Sequence, residues 1–433
     1  MDTFALWSPM NLYVGVDIGT SGVRAVAIDT QGRVSARACA PMPKPMRDGL
    51  TVVQAPQLWW NCVQGTLGQL LAIVDAQAVR SIAFAGTSGT LLLTDAQGMP
   101  LAPALMYNDA SCVEAIGLID QHAPANSGAR GTGSSLARML HLQEQHPAAR
   151  HALHQADWVA GRMCARYGLS DYNNSLKLGY DTRAMCWPVW MRRVGTRMDL
   201  LPDIVAPGSA MARIDPSVAK NLGLACDVQI VAGTTDSIAA FISTGADAPG
   251  DAVTSLGSTL VLKVISDTDI WASEYGVYSH KLGNRWLVGG ASNSGGASLL
   301  QFFDEPTMRE MTPSLTPDQA TGLNYYPLPH VGERFPLNDP TMHSRIEPRP
   351  GSDVTFFQGL LEGIAEIEHQ GYKRLEALGA LFPTNVRSLG GGSANTAWQR
   401  IRERKLRVPM HPPTSGSAAH GAALLSRKGA ING

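Results

Sequence analysis

Several features that would quickly place a chain in a functional class are scarce here. The six cysteines are scattered and form no CxxC pair, which argues against a zinc site or a disulfide framework and indicates reduced thiols. Charge of one sign is also lacking, because 35 basic residues balance 36 acidic ones to a net charge of -1. That balance argues against nucleic acid as a partner.

Long apolar runs are missing as well. No segment approaches the ~20 apolar residues that span a bilayer, so no membrane partner is expected. The N-terminal MDTFALWSPM lacks the basic flank and apolar core of a signal peptide. We therefore expect a cytoplasmic protein in which residues 1–10 form an extension outside the fold. Met10 is an alternative start.

What the chain does contain is a distinctive opening motif, VGVDIGTSGVRAVAID, at residues 14–29. A strand-like run reaches Asp17, Gly-Thr-Ser-Gly turns the chain, and a second strand-like run follows at once. Phosphate-binding glycine turns usually open a helix, whereas this one predicts a β-hairpin. Backbone amides and hydroxyls of such a turn can hold phosphate, and an acidic residue beside it can hold Mg²⁺.

The remaining patterns predict an α/β protein whose length of 433 residues favours two domains. Apolar alternation and helical spacing predict the following elements. Strands are predicted at residues 12–17, 24–29, 34–38, 81–85, 228–232, 252–255 and 260–265, and helices at 57–74, 135–167, 237–244, 353–378 and 414–426. Residues 306–350 are predicted to be mostly loop. A second Gly-Thr-Ser-Gly, at 86–89 before LLLTDAQGMP, predicts a second hairpin.

The order of these parts is informative. An acid-tipped hairpin comes first, followed by a strand that leads to Gly-Thr-Thr and Asp236. A hairpin with the turn Gly257-Ser258-Thr259 comes next, and then a triple glycine before a helix. We expect the two hairpins to face each other and to hold a polyphosphate, with Asp17 and Asp236 as Mg²⁺ ligands or one of them as a base.

These residues resemble the FGGY family of carbohydrate kinases, within the actin-like ATPase superfamily. The resemblance covers nearly the whole chain and includes VVQAPQLWW, ALMYND, GGASNSGG and LGGGSANTAW besides the opening motif. It implies two ribonuclease-H-like α/β domains around a central cleft. The N-terminal domain is expected at residues 11–245 and the nucleotide-binding C-terminal domain at 246–433.

The resemblance also implies roles for individual residues. Asp236 falls at the family's catalytic base, and Asp17 lies near the metal and the transferred phosphoryl group. ATP contacts are expected from Gly19, Thr20, Ser21, Gly257, Ser258, Thr259, Gly296, Gly391, Gly392, Asn395 and Trp398. Sugar contacts are expected from Thr87, Ser88, Asn108, Asp109 and Asp236.

Each of these assignments has a simpler alternative. Asp17 and Asp109 could be ordinary turn residues, and Asp236 could cap a helix. The second Gly-Thr-Ser-Gly could be only a tight turn. The basic run RIRERKLR at residues 400–407 is interpreted as a solvated surface, because Glu403 interrupts it and the whole chain is nearly neutral.

The resemblance implies phosphorylation of a terminal hydroxyl of a ketopentose by ATP and Mg²⁺, in a monomer or homodimer. Ser88-Gly89-Thr90 replaces a xylulose-kinase-like Met-His-Gly, and Asp236-Ser237 stands where many members have Asp followed by Gln or Asn. With these departures the chain most resembles the subgroup described as D-ribulose kinase or xylulose-kinase-like, and D-ribulose is expected before D-xylulose. Alternatives are an L-ribulose, other ketose or polyol kinase, an actin-like ATPase that acts on a protein partner, and a sugar-binding regulator without catalysis.

Overall fold

The computed structural model describes residues 11–432, so the predicted extension at residues 1–10 lies outside the described residues. The chain forms two compact units. One comprises Met1–Ser243 together with Ser417–Gly433, and the other comprises Thr244–Gly416. The predicted division at 245/246 therefore lies close to the structural one. The segment from Ser417 onward was predicted to belong to the C-terminal domain, but it is part of the first unit.

The first unit contains thirteen strands and nine helices among its described residues. The strands are β1 (Leu12–Gly19), β2 (Gly22–Ile28), β3 (Val34–Pro41), β4 (Met46–Asp48), β5 (Thr51–Gln54), β6 (Val79–Gly86), β7 (Leu91–Thr94), β8 (Ala104–Leu105), β9 (His151–His154), β10 (Leu169–Asp171), β11 (Asp203–Val205), β12 (Ala210–Arg213) and β13 (Gln229–Thr235). The helices are α1 (Pro56–Leu71), α2 (Val113–His122), α3 (Ser135–Gln145), α4 (Gln155–Cys164), α5 (Tyr172–Ser175), α6 (Trp190–Arg193), α7 (Pro216–Leu222), α8 (Asp236–Ser243) and α13 (Ala418–Asn432).

The main sheet of this unit has the order β12-β13-β6-β1-β2-β3. Strands β1, β2 and β3 form an antiparallel meander, as the opening motif predicts. Strands β1, β6 and β13 are parallel neighbours. Their carboxyl ends therefore meet at one edge of the sheet, and this edge is where parallel strands usually present functional side chains.

Helices cover both faces of this sheet. On one face, Trp59, Val63 and Leu67 of α1 are buried at helical spacing, and the Trp59 ring makes an edge-to-face contact with Trp158 of α4. On the other face lies α13. A side chain at Gly15 would come within 2.1 Å of the Ala419 carbonyl oxygen, so only glycine lets α13 pack this closely.

Two predictions in this unit are wrong. Strands β6 and β7 do not form a hairpin, because β7 belongs to a second sheet with the order β4-β5-β8-β7-β9. The predicted helix at 135–167 is interrupted by β9, where Leu153 pairs with Leu92 of β7. Leu153 is buried in a strand, because pairing with a neighbouring strand overrides the local helical pattern.

The second unit repeats the plan of the main sheet. Its strands are β14 (Asp251–Leu256), β15 (Leu260–Ser266), β16 (Tyr278–Leu282), β17 (Arg285–Ser292), β18 (Asn385–Leu389) and β19 (Met410–His411), and its helices are α9 (Gly296–Leu299), α10 (Glu305–Met311), α11 (Asp353–Ala377) and α12 (Thr396–Leu406). The sheet order is β16-β17-β15-β14-β18-β19. Here β14, β15 and β17 are antiparallel neighbours, while β14, β18 and β19 are parallel. The predicted hairpin over residues 252–265 is confirmed.

The last helix differs from its predicted bounds and surroundings. It begins at Ala418 instead of residue 414 and continues to Asn432. It packs on the main sheet of the first unit, where the Ser81 hydroxyl donates to the Ser426 carbonyl oxygen at 2.9 Å. Across residues 11–432, no helix combines the length and apolar character needed to cross a membrane.

Candidate active site

Two carboxylates lie at the carboxyl edge of the main sheet. Asp17 is near the end of β1, and Asp236 begins α8 directly after β13. Strand β6 lies between them, with Ala85 opposite both Asp17 and Thr234. Because neighbouring strands are ~4.8 Å apart, the Cα atoms of Asp17 and Thr234 are about 10 Å apart. The two acidic side chains can therefore act on one small ligand between them.

The environment of Asp17 is unfavourable to a negative charge. Its residue surface is 7% exposed, and within the described part of the chain its Oδ1 atom has no hydrogen-bond partner. Burial raises the pKa of Asp17 to about 6, and the charge of Asp236 adds to this rise. A negative charge at Asp17 therefore needs a nearby cation to stabilise it, and the protein itself supplies only a weak one.

The protein's own cation near Asp17 is Arg24, which the sequence reasoning missed. Arg24 is directly opposite Asp17 in the β1–β2 register, and its Nη1 atom donates to Asp17 Oδ2 at a long 3.4 Å. Its side chain is 53% exposed, so it can also reach a ligand. Asp17 and Arg24 lie the same number of residues before and after the turn, and this spacing in the sequence could have revealed the pair.

These residues fit Mg²⁺. An oxygen without a donor and two nearby carboxylates are suitable ligands, since Mg²⁺ is commonly held by one or two carboxylates together with substrate phosphates. In residues 11–432, no group of three or more histidine, cysteine or acidic side chains could hold a metal.

The predicted sugar residues Thr87 and Ser88 follow β6 at the same edge. The Thr87 amide and hydroxyl both donate to Gln155 Oε1, at 3.0 and 2.9 Å. Since the Thr87 proton is used there, Thr90 must donate to Thr87 in their 2.7 Å contact. Thr87 is thus engaged inside the protein, whereas the Ser88 hydroxyl has no partner among the residues described.

Gln155 is a second residue that the sequence reasoning missed. It starts α4 and is completely buried, and its Nε2 atom has no acceptor in the described structure. Its Oε1 atom fixes the turn that carries Ser88. No local motif marked it, because glutamine at a helix start is common. Its role depends on the packing of α4 beside β6.

Asp109, also predicted to bind sugar, is used to anchor a loop. Its Oδ2 atom accepts from the Val52 amide at 2.7 Å, and its Oδ1 atom accepts from the amide and hydroxyl of Ser111. The neighbouring Asn108 is exposed. Buried Arg138 donates to the carbonyl oxygens of Tyr107 and Asp109, both at 2.9 Å, and so fixes this loop further.

A buried polar group supports the strand that leads to Asp236. Asp171 Oδ1 accepts from the Thr234 hydroxyl at 3.2 Å, and Asn173 Nδ2 donates to the same hydroxyl at 3.2 Å. Burial raises the pKa of Asp171 to about 7, with the charge of Asp157 adding to the rise. These contacts position Thr234, two residues before the predicted base.

In the second unit, the structure brings together the predicted nucleotide-binding segments. Gly257, Ser258 and Thr259 connect β14 to β15, and the Gly296 amide donates to the Gly257 carbonyl oxygen at 2.8 Å. The Gly390 turn approaches the same hairpin so closely that a side chain there would come within 2.6 Å of the Leu256 carbonyl oxygen. Three segments that are distant in sequence therefore form one surface.

The last predicted nucleotide residues have different surroundings. Gly391 faces open space, since a side chain there would meet no atom within 4 Å. Asn395 caps α12 by accepting from the Trp398 amide at 2.9 Å. Trp398 is only 2% exposed and packs beneath Gly392, so it supports the turn from the core. Gly391 is thus the residue here best placed to meet a ligand.

Comparisons with known proteins agree with this architecture. The N-terminal domain of the FGGY family of carbohydrate kinases matches residues 12–243, and the C-terminal domain of that family matches residues 252–428. The chain belongs to the FGGY family of carbohydrate kinases. It is therefore an ATP-dependent carbohydrate kinase, and the predicted family is confirmed.

Individual relatives and structures are similar over nearly the whole chain. The xylulose kinase of Escherichia coli K12 is 25% identical over 438 residues, which cover 96% of this chain and 90% of that protein. A xyloylose kinase from Brucella ovis matches with a TM-score of 0.89 and 23% identity over 98% of this chain and 91% of that one. Plasmodium falciparum glycerol kinase with ADP matches with a TM-score of 0.84 and 16% identity, covering 96% and 89% of the two chains. The predicted two-domain, actin-like ATPase type of fold is confirmed.

Proposed function

We propose that the protein transfers the γ-phosphoryl group of ATP to a terminal hydroxyl of a pentulose, with D-ribulose as the preferred substrate. The observation that carries the proposal is the pair Asp17 and Asp236 at the carboxyl edge of the main sheet, where burial and mutual repulsion raise the pKa of Asp17 to about 6. Such a pair suits a reaction that needs both a base and charge neutralisation.

Asp236 is the proposed general base. It begins α8 at the end of β13, and its Oδ1 atom accepts from the Ser237 amide at 2.6 Å. This bond holds the carboxylate at the start of the helix, and a residue there can also act as a base. From this position, Asp236 accepts the proton of the attacking sugar hydroxyl as the phosphoryl group is transferred.

Asp17 and Asp236 are the residues proposed to hold Mg²⁺ together with the nucleotide phosphates. Bound there, Mg²⁺ would neutralise charge on the phosphate oxygens. Arg24 balances part of the Asp17 charge, and the turn Gly19-Thr20-Ser21 offers amides and hydroxyls to phosphate. The surface formed by Gly257, Gly296 and Gly391 is proposed to bind the rest of ATP.

Ser88 and Gln155 are the proposed sugar-side residues. Both have a polar atom without a partner among the residues described, and such atoms are costly to leave unsatisfied unless a ligand completes them. Thr87 positions Gln155 and is not itself the contact. Asp109 is proposed to act indirectly, since both of its carboxylate oxygens already accept protein hydrogen bonds.

The preference for D-ribulose rests on sequence at this edge, where Ser88-Gly89-Thr90 and Asp236-Ser237 are similar to the subgroup described as D-ribulose kinase or xylulose-kinase-like. A specific observation favours D-xylulose as the second candidate. The relatives from Escherichia coli and Bacillus subtilis are named xylulose kinases, and each is 25% identical to this chain.

The Asp236→Asn variant tests the proposed base. General-base assistance is typically worth ~10²–10⁴-fold, so kcat should fall by that factor when the carboxylate is replaced. ATP affinity should change little, because the amide keeps the shape and can still accept from Ser237. The measurement is kcat by coupled ADP detection, together with the nucleotide Kd by calorimetry.

The matched control is Asp215→Asn, which alters a capping aspartate at the start of α7. It should leave kcat unchanged. If Asp236→Asn also kept a near-normal kcat, Asp236 would be a helix cap only.

A further inference from the structure

A cavity in the second unit lies apart from the residues proposed to bind ATP. It has a volume of about 760 Å³ and is lined by the C-terminal part of α12, the middle of α11 and two loop segments. That volume is within the range of small-molecule sites. Part of the basic run RIRERKLR contributes to its wall, so this run does more than cover a solvated surface.

More basic than acidic side chains line the cavity. The basic side chains are Arg345, Arg404, Lys405 and Arg407, and the acidic ones are Glu362 and Glu366. Arg404 contacts Glu362 at 2.8 Å and Lys405 contacts Glu366 at 2.7 Å, which neutralises both acids. In the described structure, Arg345 and Arg407 have no carboxylate within salt-bridge distance. The cavity therefore keeps two uncompensated guanidinium groups.

Both carboxylates are fully occupied by the protein. Burial raises the pKa of Glu362, but hydrogen bonds from Thr321, Gln358 and Arg404 lower this pKa below its ordinary value. The pKa of Glu366 is likewise raised by burial and lowered more strongly by Lys405 and Gln370. Neither acid is a free acceptor for Arg345 or Arg407. Arg345 Nε donates to the Asn324 carbonyl oxygen at 2.9 Å, so its two Nη atoms and the exposed Arg407 guanidinium remain available to a ligand.

Arg407 is also one of three non-glycine residues with a positive φ in the described part of the chain. Arg407 ends α12 with φ of 57°, a left-handed conformation that favours glycine at this position of a helix. Basic residues in the last turn of a helix complement its dipole, which explains Arg404 and Lys405. Dipole complementarity does not explain an arginine held in the left-handed region. Nor does it explain Arg345, which comes from a loop paired with Tyr326.

The cavity wall also includes apolar and neutral groups. Leu323, Tyr325 and Ile401 line it beside the charged side chains. A guanidinium group binds phosphate through two parallel hydrogen bonds, whereas an apolar wall favours a carbon skeleton attached to that phosphate. We propose that this cavity is a binding site for a small organic phosphate, held by Arg345 and Arg407 and separate from the catalytic residues.

Isothermal titration with ribose 5-phosphate as the probe tests this site, with Mg²⁺ and a non-hydrolysable ATP analogue filling the nucleotide site. The double variant Arg345→Gln/Arg407→Gln should bind the probe at least tenfold more weakly than the wild type. Arg400→Gln is the matched control, because Arg400 lies on the same helix and pairs with Asp318 outside the cavity. It should bind like the wild type. Inorganic phosphate as a second probe should bind more weakly, since it lacks the carbon skeleton.

The Arg407→Gly variant separates binding from folding. Glycine relieves the left-handed backbone, so the melting temperature should be maintained or raised while probe affinity falls. The proposal is overturned if the wild type does not bind the probe, or if the double variant binds as the wild type does. An equal loss in Arg400→Gln, or a lowered melting temperature in Arg407→Gly with unchanged binding, would also overturn it.

Discussion

Asp17 keeps a carboxylate where its negative charge is poorly tolerated. The residue is nearly buried, one of its oxygens has no donor within residues 11–432, and Arg24 contacts the other at 3.4 Å. Asp236 adds repulsion instead of relief. A residue selected only for stability would be neutral here, so the retained charge indicates a function that needs it.

This environment predicts that Asp17→Asn stabilises the protein at neutral pH. The folded-state pKa of about 6 is above the ordinary aspartate value of 3.8, so the folded protein holds this proton more tightly than the unfolded chain. Stability is therefore lost as pH rises from about 4 to about 6 and stays reduced above that range. At ~1.4 kcal/mol per pKa unit, the variant gains about 3 kcal/mol at most at pH 7.5.

Thermal unfolding at several pH values measures this effect. The gain in melting temperature for Asp17→Asn should disappear below pH 4, where the wild-type side chain is protonated in both states. Turnover should fall in the same variant, and raised Mg²⁺ should restore part of it. A variant that is destabilised at pH 7.5 would contradict the account of Asp17.

At the level of elements, the glycine turn before α12 supports a prediction about ATP. A side chain at Gly391 meets no protein atom within 4 Å, so Gly391→Asp should fold normally. Its side chain would occupy space that this surface offers to ATP and would add negative charge beside a polyanion, so ATP affinity should fall at least tenfold while sugar binding is kept. Gly391→Ala is the control for charge and should lose less.

Calorimetric titration of both variants with ATP and with the sugar gives the comparison. Trp398→Ala should also weaken ATP binding, but it should lower the melting temperature as well, because it removes a buried ring from beneath Gly392. Unchanged ATP affinity in Gly391→Asp would show that this turn does not meet the nucleotide.

The hairpins could be predicted from sequence because their signals are local. Alternating apolar residues and a four-residue turn specify β1 and β2. A similar sequence pattern, strand, small-residue turn and strand, specifies β14 and β15 around Gly257. Asp17 and Asp236 could be placed for the same reason, since each follows a clear strand. The structure brings these two together without any further assumption.

Other features depend on contacts that are distant in sequence. Leu153 is in a strand because β7 pairs with it, although its neighbours have helical spacing. Gln155 matters because α4 packs beside the end of β6, and no pattern around residue 155 reveals that contact. Trp398 is expected from its position after the glycines to contact ATP, whereas in the structure it is buried beneath Gly392, a contact that the local pattern does not reveal.

At the level of the whole molecule, the two units have six-stranded sheets of similar but not identical plan. In each, antiparallel strands are joined to parallel strands, and the first two antiparallel strands are connected by a turn of small residues. The chain passes from the first unit to the second after Ser243 and returns after Gly416. The last helix thus completes the first unit, where Gly15 allows it to pack on β1.

The most direct test of the account is ADP formation by the wild-type protein with Mg²⁺-ATP and single sugars. We predict ADP release that depends on the sugar, with one phosphorylated sugar formed per ADP and a higher kcat/KM for D-ribulose than for D-xylulose, L-ribulose or polyols. A higher kcat/KM for D-xylulose would support the kinase activity and change the proposed substrate. ADP release without a phosphorylated sugar, or no turnover with any pentulose, would contradict the central claim.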